Sequence, residues 1–135
     1  MLDTAASLAV WKSVRDAKPL IAGPEDAVWR ISVRPSAGPS VLAALHKHGV
    51  AGYLDWGGGL VWLAGPADSG SHEAVEQAAR AAGGTWMLFR APDTLRANVH
   101  VVPQVAAALA RITKGVKDTL DPAGILNPGR MYAGV

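Results

Sequence analysis

The chain has 135 residues, of which 50% are apolar and 18% are charged, so its composition is that of one globular domain and not of a disordered segment. Its net charge of +2 is small and its basic residues are scattered, which excludes a nucleic-acid partner recognised through phosphates. The absence of cysteine excludes disulfides, a thiolate nucleophile and iron–sulfur ligation within the chain.

The first elements in the chain are predicted to be a helix and a strand. Residues 4–17 have helical apolar spacing, and Pro19 ends the helix. Residues 26–34 alternate with period two, as in a strand with one apolar face. The apolar face of this strand carries Ala27, Trp29, Ile31 and Val33, and the opposite face carries Val28, Arg30, Ser32 and Arg34.

The following elements complete a β-α-β-β-α-β order. A short helix over residues 40–48 ends before Gly49, and residues 50–56 and 60–64 form a β-hairpin around three glycines. Asp68 or Ser69 caps a helix that runs to Ala82, and residues 85–90 form the fourth strand. This order predicts an α+β, ferredoxin-like fold: a four-stranded antiparallel sheet with both helices on one face.

The remainder of the chain is predicted to be an irregular connection, a long helix and a turn. The connection covers residues 92–103 and contains one helical turn, and residues 104–120 form an amphipathic helix. We therefore divide the chain into a helical segment 1–23, a ferredoxin-like unit 24–100 and a carboxy-terminal helix with its turn, 101–135. N- and C-terminal helices thus flank the unit.

The carboxy-terminal turn, residues 121–132, is rich in proline and glycine and cannot continue the helix. Asn127 tolerates the left-handed conformation, so a defined series of turns is expected. We expect the apolar side chains of the turn to be buried and its polar side chains, Asn127 and Arg130, to be held in place. The turn is either a structural clasp for the last helix or a clasp that also contacts a ligand.

The face of the sheet opposite the helices is a candidate binding surface. Arg30 lies on this face, and Tyr53, Asp55 and Arg90 from other strands are expected near it. Guanidinium groups bind carboxylates through two parallel hydrogen bonds, which suits an anionic substrate or a flavin. A solvated sheet face with Arg–Asp pairs explains the same residues, and their pattern does not separate the two interpretations.

Other patterns do not indicate chemistry. The glycines at residues 57–59 lead into an apolar strand and not into a helix, so they predict a hairpin turn and not a phosphate site. His46 and His48 face different directions on a helix and lack carboxylate neighbours, so we expect no metal site. No Gly-x-Ser-x-Gly motif supports a hydrolase, and the predicted third strand lacks the aromatic and basic residues of an RNA-recognition domain.

Several motifs resemble one family of flavoenzymes. The sequence from Asp121 to Arg130, Asp-Pro-Ala-Gly-Ile-Leu-Asn-Pro-Gly-Arg, resembles the carboxy terminus of FAD-linked oxidases of the vanillyl-alcohol oxidase type. With Met131-Tyr132-Ala133 after it, the chain is most similar to the FAD-binding subunits of bacterial glycolate oxidases. Further matches are Trp29-Arg30-Ile31-Ser32, Leu54-Asp55-Trp56-Gly57-Gly58 with Trp62, and Ala82-Gly83-Gly84.

The resemblance implies that this chain is only the carboxy-terminal cap part of such a subunit. Residues 1–23 are then the connector from an amino-terminal domain that holds most of the FAD. The implied reaction oxidises glycolate, a small 2-hydroxy acid, to glyoxylate through the flavin. Asn127 and Arg130 are expected to contact FAD, and Arg30 and Arg90 to bind an anion at the flavin edge. The full set of expected substrate- or anion-binding residues is Arg30, Arg90, Asp55 and Tyr53.

The resemblance also implies partners and a location. A sister flavin subunit and an iron–sulfur subunit are expected in the complex, while this chain alone is expected to be inactive and to self-associate. The amino terminus lacks a basic signal-peptide region, and no apolar run approaches about 18 residues, so we expect a cytoplasmic protein that reaches a membrane only through the complex. The alternative is a free-standing ferredoxin-like module that binds a small ligand or oligomerises.

Overall fold

The computed structural model of the chain describes residues 3–20, 23–129 and 132. Its strands form one antiparallel sheet and are β1 (Ala27–Ser32), β2 (Ala51–Asp55), β3 (Leu60–Gly65) and β4 (Thr85–Arg90). The order across the sheet is β2-β3-β1-β4, so the first strand of the chain lies inside the sheet.

Helices α2 and α3 supply the second layer of the fold. In the described ranges the α-helices are α1 (Thr4–Arg15), α2 (Gly38–His46), α3 (Ser69–Ala81), α4 (Asp93–Arg96) and α5 (Ala107–Leu120). α2 and α3 contact each other and pack their apolar residues into the same core as the sheet. The predicted α+β, ferredoxin-like fold is confirmed.

Local chemistry explains where the helices begin. α2 begins two residues earlier than predicted, because Pro39 is suited to the first helical turn. α3 begins after the first of its two predicted caps, Asp68, whose carboxylate accepts a hydrogen bond of 2.8 Å from the Ser71 amide. α5 begins three residues later than predicted, because the backbone of Ala106 is extended (φ −57°, ψ 146°).

The core lies between the apolar face of β1 and the two helices. Trp29 and Ile31 of β1 are fully buried, as their alternation predicts, and their neighbours across the ladder are Leu63 and Val61 of β3. The helices add further fully buried side chains, among them Leu45 and Val75. Fully burying each of these side chains contributes about 1.5 to 3 kcal/mol.

One buried polar contact crosses this core. The indole N–H of Trp29 donates a hydrogen bond of 3.2 Å to Nδ1 of His72, which is only 3% exposed. The ring of Trp86 meets the imidazole edge-on, with the ring centres 5.0 Å apart. Burial lowers the pKa of His72, so the imidazole is held neutral and accepts the indole proton.

A glycine in β2 permits an unusually close contact between two backbones. A Cβ atom on Gly52 would collide with the carbonyl oxygen of Trp62 in β3. Gly115 in α5 is the opposite case, because, apart from its chain neighbours and the backbone of its own helix, no atom of the described residues lies within 4 Å of where its Cβ atom would be.

α1 and α5 have no buried residue. The predicted apolar stripe of α5 faces outward, with Leu109 52%, Ile112 62% and Val116 54% exposed. In α1, Leu8 and Trp11 are similarly exposed. None of the helices in the described ranges has the length and apolarity that crossing a lipid bilayer requires.

Candidate functional site

A row of four side chains crosses the open face of the sheet, opposite α2 and α3. Tyr53 of β2 is paired with Trp62 of β3, Trp62 with Arg30 of β1, and Arg30 with Met87 of β4. Directly opposite residues in an antiparallel sheet share a face, so the register places these side chains next to one another. The row contains two of the predicted site residues, Arg30 and Tyr53, with Trp62 between them.

One aromatic ring lies beside the guanidinium of Arg30. Its central carbon lies 5.9 Å from the ring centre of Trp62, within the range of a cation–π contact. The ring of Phe89 meets Trp62 edge-on, with the ring centres 5.2 Å apart. Arg30 forms no salt bridge with any carboxylate in the described part of the chain. Its charge is therefore available for an anion.

Tyr53 contributes an unsatisfied hydroxyl group to the row. The hydroxyl is shielded from solvent, yet no atom of the described residues forms a hydrogen bond with it. Burial raises the pKa of Tyr53, and the negative charge of Asp55 raises it further, so the group stays protonated. A shielded donor without an acceptor costs free energy, so this hydroxyl is a candidate contact point for a ligand.

Asp55 lies on the same face but serves the local backbone. It is paired with Leu60, one step along the sheet from the Tyr53 row. Its carboxylate accepts a hydrogen bond of 2.7 Å from the amide of Trp56 and so caps the turn after β2. Trp56 has a positive φ of 51°, which is strained for a bulky residue, and its ring is 70% exposed.

Arg90 lies apart from the other candidate residues. It is at the end of β4 and is paired with Val28 across a shift in the β1–β4 register. Its guanidinium donates a hydrogen bond of 3.0 Å to the carbonyl oxygen of Gly23, in the loop before β1. Since Asp55 is on the other outer strand and pairs toward the opposite end of β3, the structure does not bring Arg90 and Asp55 together.

Sequence reasoning had not assigned Phe89 or Met87 to this face. Both alternate with the buried residues Trp86 and Leu88, so the period-two pattern of residues 85–90 is enough to predict that they lie on the open face. The register shift beside Arg90 has no comparable signal, because the sequence of a strand does not show where its partner bulges.

The carboxy-terminal turn is tied to α5 by one carboxylate. Asp121 accepts hydrogen bonds from the amides of Ile125 (3.1 Å) and Leu126 (2.9 Å) and forms a salt bridge of 2.6 Å with Lys117. The ammonium of Lys117 also donates to the carbonyl oxygen of Leu126. The Lys117 contact, followed by the Leu126 amide, lowers the pKa of Asp121. The turn is thus a clasp whose shape Asp121 sets.

This clasp directs the side chains of the turn outward. Asn127 has the expected left-handed conformation (φ 48°) and is exposed. Ile125 and Leu126 are 76% and 61% exposed, so the prediction that these apolar side chains are buried is wrong. The reason is that backbone hydrogen bonds to Asp121, and not apolar packing, hold the turn. Arg130 and Met131 lie outside the described residues.

The chain is similar in sequence to part of a known protein. It is 33% identical over 123 residues to glycolate oxidase subunit GlcE of Escherichia coli (strain K12). The match covers 91% of this chain and 31% of that subunit, so the chain spans about a third of the relative's length. No protein-family model matches the chain, and no solved structure matches it significantly. The chain is thus related to one part of a glycolate oxidase subunit.

Proposed function

We propose that this chain is the carboxy-terminal cap part of the FAD-binding subunit of a glycolate oxidase or dehydrogenase. The observation that carries the proposal is the similarity to subunit GlcE, which extends over 91% of the chain. The substrate would be a small 2-hydroxy acid such as glycolate, which the enzyme oxidises to glyoxylate. FAD, when bound, supplies the hydride acceptor for this reaction.

The open face has the chemistry that a small hydroxy acid requires. Arg30 offers a guanidinium fork for a carboxylate, and no carboxylate of the described residues forms a salt bridge with it. The Tyr53 hydroxyl lacks an acceptor among the described residues, and a ligand oxygen would provide one. These two residues are the main substrate-binding residues in this proposal, and Asp55 and Arg90 are further proposed substrate- or anion-binding residues that lie at its margins. No residue is assigned as the general base.

The exposed turn fits the polar edge of a flavin ring. Asn127 offers both an amide donor and a carbonyl acceptor, and no hydrogen bond joins its side chain to another described residue. Ile125 and Leu126 beside it offer apolar contact to a ring system. We propose that Asn127 and Arg130 contact FAD, while most FAD contacts come from an amino-terminal domain outside this chain.

The exposed stripes of α1 and α5 support an amino-terminal partner domain. Solvent-facing apolar patches on a folded chain usually mark a surface that another unit covers. Both helices flank the ferredoxin-like unit, so a domain of the same subunit could cover them. A sister flavin subunit and an iron–sulfur subunit are further proposed partners, since a chain without cysteine cannot hold a cluster itself. We propose that this chain is cytoplasmic and that it contacts a membrane only through other subunits of the complex.

A chimera tests the proposed function. The matched segment of Escherichia coli GlcE is replaced by this chain, and the chimera is produced with the rest of that oxidase. We expect the purified complex to retain FAD and to reduce a dye when glycolate is added. The isolated chain, as the matched control, should be folded but colourless and inactive. A folded chimera without FAD, or an isolated chain with stoichiometric flavin, would contradict the proposal.

Substitutions in the turn separate flavin contact from a clasp alone. In the chimera, Asn127→Ala should weaken FAD binding about tenfold to a hundredfold, because a hydrogen bond to a polarised group contributes about 1.5 to 3 kcal/mol. Arg130→Ala should act in the same direction. Flavin dissociation is measured together with the denaturation midpoint, which should barely move in either variant.

Asp121→Asn is the control for this pair of variants. It removes the charge that organises the turn, so it should affect stability and FAD binding together. If Asn127→Ala and Arg130→Ala also lower stability while FAD affinity per folded molecule is unchanged, the turn is only a clasp.

The alternative function is a free-standing ferredoxin-like module. The observation that favours it is the guanidinium of Arg30, which forms no salt bridge with a described residue and can bind a small carboxylate without a flavin domain. Glycolate binding to the isolated chain that is lost in Arg30→Gln, combined with an inactive chimera, would support the module over the cap.

A further inference from the structure

The two outer strands of the sheet differ in what lies beside them. Along β4, the amide of Leu88 donates a hydrogen bond of 2.8 Å to the carbonyl of Val101, so the segment after α4 occupies that edge. Among the described residues, β2 has no backbone partner other than β3. β2 contains neither lysine nor proline, the residues that commonly protect an open edge. The sheet therefore has one edge at which a strand can be added.

A groove follows this open edge on the helix side of the sheet. Its volume is about 450 Å³, and its walls include Pro39, Leu42, Ala43, His46, Val50 and Leu54. Gly52 forms part of the floor, and the close approach of β3 excludes a side chain there. The strand next to β2 thus has space for one apolar side chain above Gly52.

We propose that β2 pairs with β2 of a second copy of this chain, antiparallel about a two-fold axis at Tyr53, which makes one eight-stranded sheet. This register pairs all five residues of the strand. It sets Gly52 opposite Leu54 of the second copy, so that each leucine enters the groove of the other copy. Alternate N–H and C=O groups of an antiparallel edge strand point outward and become paired.

Charge and topology are compatible with pairing between two copies of this chain. In this register each Asp55 faces the small, exposed Ala51 of the other copy, so the two carboxylates stay apart. Because the β4 edge is occupied, the pairing closes at a dimer and does not propagate into a filament. A five-residue strand gives a small interface, so we expect a weak dimer that forms with rising concentration.

Two substitutions at Ala51 test the register. Ala51→Glu sets a carboxylate against Asp55 of the other copy at both ends of the interface, and Ala51→Lys sets an ammonium there. We expect the dimer Kd to rise about threefold to thirtyfold in the first variant and to stay equal or fall in the second. Sedimentation equilibrium of the 135-residue chain measures Kd, and circular dichroism verifies that each variant is folded.

All variants carry Ile112→Glu, which places a charge in the exposed stripe of α5 and suppresses association through that helix. Parent and variants then differ only at the β2 edge. Equal weakening by Ala51→Glu and Ala51→Lys, or a monomer at every concentration, would overturn the proposal. The measurement records mass and not flavin, so its result is independent of the proposed function.

Discussion

Gly52→Ala should lower the free energy of unfolding by about 3 kcal/mol or more, the largest loss we expect from any single methyl group in this chain. The new Cβ atom would overlap the carbonyl oxygen of Trp62 and lie 3.1 Å from the Cα atom of Leu63. Both are backbone atoms of β3, so no side-chain rotation relieves the collision. β2 would have to move away from β3 and lose ladder hydrogen bonds.

Gly115→Ala is the matched control, because the same methyl group is added to α5 at a position where no other part of the described chain lies close to it. There alanine should stabilise the chain by about 0.5 to 1 kcal/mol, the usual advantage over glycine in a helix. Chemical denaturation of both variants measures the difference. If Gly52→Ala were as stable as the parent chain, the close β2–β3 approach would be refuted.

His72→Ala should cost about 3 kcal/mol of stability. The substitution leaves a cavity beside Trp86 and removes the acceptor of the Trp29 indole proton, which is buried. His72→Gln is the matched variant, because its amide oxygen can still accept that proton, and we expect a smaller loss. Thermal and chemical denaturation measure both variants. If His72→Ala and His72→Gln lose the same amount of stability, the hydrogen bond contributes little.

The same histidine should make stability depend on pH. Burial is the main cause that lowers the pKa of His72; His100 lowers it further, and Glu76 and Glu73 oppose the shift. The unfolded chain therefore binds a proton at a higher pH than the folded chain. The contribution of neutral His72 to the free energy of unfolding should be fully present above the unfolded pKa of about 6.5. It should decrease as the pH falls below that value. In His72→Gln this slope should disappear from the pH dependence of the denaturation midpoint.

The fold could be predicted because its local patterns agree with one another. Alternation in residues 26–34 identified which side of β1 is buried, and the Asp68 cap located the start of α3. Pairs that join distant parts of the chain could not be predicted. Trp29 and His72 are 43 residues apart, and no local pattern indicates that an imidazole accepts the indole proton.

The candidate site was predicted in part for the same reason. The period of β1 placed Arg30 on the open face, and the hairpin carried Tyr53 to the same row. The separation of Arg90 depends on a bulge, and the outward direction of Ile125 and Leu126 depends on backbone hydrogen bonds to Asp121. Such features arise from φ/ψ values and register, which composition and periodicity do not encode.

The strand order has a consequence for synthesis of the chain on the ribosome. β1 is translated first, yet its two neighbours in the sheet, β3 and β4, are translated later. The local β2–β3 hairpin can form early, but both edges of β1 stay unpaired until that hairpin has formed. The second edge of β1 is covered by β4 only after Arg90 has emerged. A nascent chain that stalls before Thr85 thus presents an apolar strand with one open side, and we expect such chains to depend on chaperones.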